Sequence, residues 1–138
     1  MIVDASVVLR AFFPDEDQAR AQALIRDHVS GRVRLAAPPL ILYELTNAVL
    51  QAARRGRIAD QEVEAILEAF EGLGIEIQPV TWQQMAPLAR RFDRSACDAA
   101  YLALAEARAE PLITGDLRLY NAVREHLDWV QWIGEQPQ

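Results

Sequence analysis

The chain has 138 residues, 51% of them apolar and 25% charged, with few Pro or Gly, which suits one globular domain able to bury a core without staples. No apolar run approaches the roughly 20 residues of a membrane span, and the single Cys97 excludes an internal disulfide and argues against a cysteine-built metal site. Net charge is −6 and all 14 basic residues are arginine, so mechanisms that need lysine are excluded, and a nucleic-acid substrate would require local cations to offset the acidic chain.

Residues 1–3, "MIV", predict a short buried strand, and "ASVVLRAFF" a helix ended by Pro14. Residues 15–31 form an amphipathic helix pattern with acids at its start and Gly31 at its end. A second strand over 33–37 is closed by Pro38 and Pro39. Residues 40–56 predict a long helix whose apolar stripe is Ile41, Leu45, Ala48, Val49 and Ala52, with Gly56 as its stop. Residues 59–74 predict a second helix, and the two make a hairpin across a basic turn. "IEIQPV" alternates like a third strand, and 81–92 predicts a helix in which Pro87 argues for a kink or a late start. Residues 95–109 are apolar nearly all round, as in a buried helix. "PLIT" is a fourth strand, 115–126 a short helix, and "DWVQWI" a last strand at an edge, with 133–138 expected to fray. The alternation of strands and helices argues for a layered α/β fold around a mostly parallel sheet of four or five strands. The opening "MIVDAS" lacks the basic stretch of a signal peptide, so the expected location is the cytoplasm, with no membrane partner.

In such sheets ligands bind outside the carboxyl ends of the strands, where Asp4 and Asp116 fall. Each has an ordinary reading as the N-cap of a following helix. Ser95-Ala96-Cys97-Asp98 has the form of a capping box. Glu44, on the shoulder of its helix stripe, could simply face water. Asp98 fits its ordinary reading least. It is the only charge in "ACDAAYLALA", where a carboxylate loses hydration unless it is protonated or paired, Arg94 being one candidate partner. If Asp4, Asp98 and Asp116 gather at one rim with Glu44 reaching across, the crowded charges need a counter-ion. Mg2+ or Mn2+ would serve, because both take oxygen ligands.

At these residues the chain resembles the PIN-domain nucleases, particularly the toxin ribonucleases of VapBC toxin–antitoxin pairs. "MIVDAS" is similar to the family's opening strand with its first acid, "YELTNAV" to the helix with the second, "CDAAYLALAE" to the helix with the third, and "PLITGDLRL" to the strand and turn with the fourth. The similarity covers nearly the whole chain, as a single domain over 1–138. It implies a three-layer α/β/α sandwich, with Asp4, Glu44, Asp98 and Asp116 holding Mg2+ or Mn2+. It also implies support from the hydroxyls of Ser6 and Thr114, for which local turn bonding is the alternative. The implied activity is endonucleolytic hydrolysis of RNA leaving a 5′-phosphate and a 3′-hydroxyl, and the implied partners are a VapB-type antitoxin and a second copy of the chain. Two positions depart from the pattern. Cys97 stands where many relatives carry an aromatic, which should alter packing beside Asp98, and Leu119 stands where some carry a further acid of a two-metal site.

Other readings fare worse. A metal-free ribonuclease needs histidines, and His28 and His126 both fall near predicted helix ends, where facing solvent is the default. Receiver domains and aspartate phosphatases need a lysine, and Asp4-Ala5-Ser6 lacks the phosphatases' second acid. A PIN-like module that binds RNA or protein without turnover would be expected to have lost a site acid; a metal-dependent nuclease acting on DNA stays open. For phosphate contact the candidates are Arg54, Arg55 and Arg57, and Arg90, Arg91, Arg94 and Arg118, although both clusters fall at helix C-termini, where cations offset the macrodipole. Arg118 is favoured as the nearest to Asp116. Trp82, Trp129 and Trp132 are interface candidates, with a core position the default for each.

Overall fold

Among the described residues, five very short strands form the centre. The computed structural model describes residues 1–14 and 19–134, and its strands are β1 (Ile2–Val3), β2 (Ala36–Ala37), β3 (Glu76–Ile77), β4 (Leu112–Thr114) and β5 (Val130–Trp132). They lie in the order β3-β2-β1-β4-β5, and every pairing is parallel. The helices are α1 (Ala5–Phe12), α2 (Ala19–Val29), α3 (Leu40–Arg54), α4 (Asp60–Gly72), α5 (Trp82–Phe92), α6 (Ala96–Arg108) and α7 (Leu117–Val123). This is the expected α/β/α arrangement. Ile2, Val3, Ala36, Ala37 and Leu112 are buried because helices cover the sheet, which is why the central strands read as unbroken apolar runs. At the edge, both β3 residues are exposed, so the alternation read there does not bury one face.

Helix α6 carries seven consecutive buried residues, Ala99 to Ala105, as its all-round apolar character predicts. Helices α3 and α4 form the hairpin over a smaller cluster of Phe13, Val49, Ala52, Ile58 and Val63. Gly31 and Gly56 stop α2 and α3 at positive φ, a conformation that suits glycine. The acids expected at the start of the second helix fall in 15–18, outside the described residues. Among the described residues no helix is long and apolar enough to cross a membrane.

Four expectations need correction. Helix α5 does not start late, because Thr81 and Gln84 cap it reciprocally (Gln84 N–H to Thr81 Oγ1, 3.3 Å; Thr81 N–H to Gln84 Oε1, 2.8 Å), and it runs on through Pro87. The tail does not fray from residue 133: Ile133 is 5% exposed and its N–H donates to Thr114 O, while Gly134 O accepts from Arg20. His28 does not face solvent. Its Nδ1 accepts the Leu35 N–H (3.0 Å), so Nε2 carries the hydrogen donated to Leu73 O (2.8 Å), and the ring ties α2 to two loops. Trp82 is not in the core but 70% exposed, whereas Trp129 and Trp132 pack partly buried against it.

The strand order positions the chemistry. From β1 the chain builds outward through β2 and β3, then crosses to β4 and β5 on the other side. The order therefore reverses between β1 and β4, and the crevice beyond their carboxyl ends is the switch point where ligands bind in such sheets. Asp4 directly follows β1, and Asp116 lies two residues beyond β4.

Candidate active site

Asp4 occupies the N-cap position of α1 with extended backbone angles (φ −80°, ψ 149°), yet its side chain makes no capping hydrogen bond. Its Oδ2 instead accepts from Thr114 Oγ1 (2.6 Å) and Ser6 Oγ (3.1 Å). Those hydroxyls in turn accept the N–H groups of Asp116 (3.0 Å) and Gly115 (2.8 Å). The lattice ties the end of β1 to the turn after β4. Thr114 thus makes the local turn bond, to the Asp116 N–H, as well as a bond to Asp4, whereas the backbone bond of Ser6 reaches across to Gly115. Burial holds the Asp4 carboxyl above the usual range, and the charge of Asp116 adds to this; the two hydroxyls and the nearby Ser6 N–H pull the other way.

The other two cap candidates behave differently. Asp116 does cap α7, accepting from Arg118 N–H (3.0 Å) and Leu119 N–H (3.3 Å), both through Oδ1. At α6 the box is half formed: Ser95 Oγ accepts the Asp98 N–H (3.1 Å), and the Asp98 carboxylate turns to Arg94, 3.9 Å away. Burial, then the charge of Asp116, raise the Asp98 carboxyl against the pull of Arg94. Glu44 does not merely face water. Its Oε1 accepts from Tyr101 Oη at 2.5 Å, and its carboxyl is raised by burial and by the charges of Asp4, Asp98 and Asp116 together.

Four acids from four separate elements therefore share one field. As they stand, no three His, Cys, Asp or Glu side chains among the described residues form a set that could hold a metal ion. Like charges without a counter-ion keep apart. The donor chemistry nevertheless fits a hard divalent cation, because carboxylates and hydroxyls supply only oxygen.

Residues 1–125 match the PIN domain family. The chain belongs to that family. It is 30% identical to ribonuclease VapC3 of Pyrobaculum aerophilum over 123 residues, which cover 86% of this chain and 91% of the relative. It is 32% identical over 119 residues to ribonuclease VapC9 of Mycobacterium tuberculosis, covering 86% and 87%. Within the PIN family it thus sits with the VapC proteins. The crystal structure of PAE2754 from Pyrobaculum aerophilum superposes with a TM-score of 0.74 at 21% identity, over 96% of this chain and 82% of that one, in agreement with the fold.

The arginines of this PIN domain divide. Arg94 is held at the end of α5, donating from Nε to Phe92 O (3.3 Å) and Asp93 O (3.0 Å) while it faces Asp98. Arg55 and Arg57 line a cavity beside the acids. Arg54 closes α3, exposed and outside that lining, and Arg118 is exposed with its backbone N–H on Asp116. Arg90 and Arg91 line a separate hollow with Trp82 and Pro87. Cys97, the residue before Asp98, is exposed.

Sequence reasoning missed two residues. Tyr101 stands three positions after Asp98, and a phenol in an otherwise aliphatic buried helix needs a polar partner, which is a readable signal. Arg10 is the only charge within α1, and its Nη2 donates to Gly115 O (3.2 Å) in the turn between Thr114 and Asp116.

Proposed function

We propose that this PIN domain is a Mg2+- or Mn2+-dependent endoribonuclease, the toxin of a type II toxin–antitoxin pair, with Asp4, Glu44, Asp98 and Asp116 as its metal-holding acids. The observation that carries this reading is that Asp4, at a cap position, forgoes the cap and takes hydroxyl donors, while Glu44 feels the charges of Asp4, Asp98 and Asp116 together. The ribonuclease names of the VapC relatives support RNA as substrate and a VapB-type antitoxin as partner. A homodimer belongs to the same reading.

The chain's own residues prepare the site. Thr114 and Ser6 fix Asp4 and the turn that presents Asp116. Tyr101 orients Glu44, and Arg94 offsets the charge of Asp98. A bound divalent cation would supply an activated water and polarise the scissile phosphate.

The test is cleavage of labelled RNA and DNA panels with and without EDTA, with product ends identified. The expected result is EDTA-sensitive RNA cleavage leaving 5′-phosphates and 3′-hydroxyls. Chelator-resistant cleavage giving cyclic phosphates would overturn the mechanism, and cleavage of DNA alone would overturn the substrate. Toxicity on expression, relieved by co-expression of a cognate VapB-type antitoxin, tests the toxin role separately. Harmless expression of the intact folded protein would count against that role.

A further inference from the structure

Beside the acids lies a cavity of about 320 Å3, between α1, α3 and the turn after β4. It shares a wall with the acid cluster. Ser6 and Gly115 line it, and Ser6 Oγ is the group that donates to Asp4 while accepting the Gly115 N–H. Arg10, Arg55 and Arg57 also line it, and none of its described lining residues is acidic, although the chain carries a net charge of −6.

Two of these cations are held in place. Arg10 is bonded to Gly115 O and lies over the Trp132 ring at 5.2 Å, and Arg57 lies over the Phe13 ring at 4.8 Å. A guanidinium stacked on a ring keeps its N–H edge directed, the geometry suited to phosphate oxygens. Leu9 and Phe13 add apolar wall. A volume of this size is at the low end of ligand pockets, which begin at roughly 300 Å3. It has room for a single nucleotide and is too small for a duplex.

We propose that this cavity binds one nucleotide of the RNA next to the scissile bond, with its phosphate on Arg10 and Arg55 and its sugar or base against Leu9 and Phe13. The assignment rests on the RNA reading above and deepens it. It also answers the electrostatic difficulty of a polyanion approaching four carboxylates: the cation and the acid sides of the site meet at Ser6 and Gly115.

The test is fluorescence anisotropy with a short labelled single-stranded RNA and the full chain, in EDTA so that nothing is cut, across a salt series. Each phosphate contact on single-stranded nucleic acid contributes about 0.7 to the log–log salt slope, or about fivefold in affinity near 0.1 M salt. Arg55→Ala should weaken binding roughly fivefold and flatten the slope by about 0.7. Arg55→Lys should restore most of the slope, and Arg32→Ala, an exposed residue paired with Asp27, should change neither quantity. Unchanged affinity and slope in Arg55→Ala would overturn the proposal. So would loss of binding to an oligoglutamate peptide in Arg55→Ala with RNA binding intact, which would make the cavity a protein site. The underlying RNA reading fails differently, by absence of metal-dependent RNA cleavage in the wild type, whereas the cavity is judged on binding alone.

Discussion

Tyr101 is 1% exposed, and its hydroxyl donates to Glu44 Oε1. Burial, with the charges of Asp4 and Glu44, pushes its ionisation far above the ordinary tyrosine range, so the phenol stays a donor at every working pH. Tyr101→Phe keeps the ring in the core and removes only that bond. The expected result is a loss of about 1–3 kcal/mol in urea unfolding, since Glu44 keeps its partial burial without its donor. If Glu44 holds the proposed cation, single-turnover cleavage should fall at least ~10-fold with KM little changed, the usual consequence of losing a group that orients such a side chain. A stability loss with full turnover would make Tyr101 purely structural. Thr114→Val probes the opposite wall. Thr114 is fully buried and both donates to Asp4 and accepts from Asp116, so the isosteric change leaves two polar groups short and should cost about 1–3 kcal/mol in the same measurement. At this scale the sequence showed which acids to watch but not which oxygen each would use. Asp4 and Asp116 both follow a strand, yet one forgoes the cap and the other makes it, because only Asp4 has Thr114 across the β1–β4 boundary to draw its carboxylate away.

Helix α5 shows how a local signal is outweighed by another. Pro87 cannot donate to Gln83 O, and that loss argues against a helix interior. The reciprocal Thr81–Gln84 cap and the buried Leu88 and Phe92 nevertheless hold one helix over the whole span. Pro87 itself is exposed. Pro87→Ala restores the missing bond without disturbing the core and should raise the unfolding free energy by about 1–3 kcal/mol, with cleavage unchanged. A lower urea midpoint would mean that the ring packs on Trp82 more than it strains the helix. The helices were legible because their apolar periodicity spans seven or more residues, as in the Ile41, Leu45, Val49, Ala52 stripe of α3. The strands, of two or three residues, carry no periodicity of their own. Their existence could be read from apolar runs between turn residues, but not their order, since the pairing of β1 with β4 joins Ile2 to Leu112 through contacts no local pattern encodes. Ile133 was misjudged for the same reason: its burial depends on Thr114 O in another strand.

At the scale of the whole molecule, the decisive quantity is how folding and charge are linked. Asp4, Glu44 and Asp98 all have carboxyls raised above their ordinary values of 3.8, 4.5 and 3.8, by burial first. The folded state therefore binds protons more tightly than the unfolded chain at these positions. Their contribution is most favourable below the ordinary carboxylate range and is lost as pH rises through the raised folded values. A cation that binds only the folded, ionised site works in the opposite direction, so its effect grows with pH. At a hundredfold excess over its Kd it adds about 2.7 kcal/mol, on the order of 10 °C in Tm for a domain of this size. Thermal melts in EDTA and in Mg2+ or Mn2+ from pH 4 to pH 8 should show that gain widening with pH. Asp98→Asn removes one of the repelling charges. Arg94 keeps its bonds to Phe92 O and Asp93 O, so the substitution strands no cation. In EDTA at neutral pH the variant should melt above the wild type, with the difference shrinking toward pH 4; its metal response should be smaller and its cleavage lost. A wild type whose Tm ignores both cations at pH 8, or an Asp98→Asn that keeps the full metal shift and full cleavage, would mean that these acids are tolerated without a counter-ion and that Asp98 lies outside the metal site.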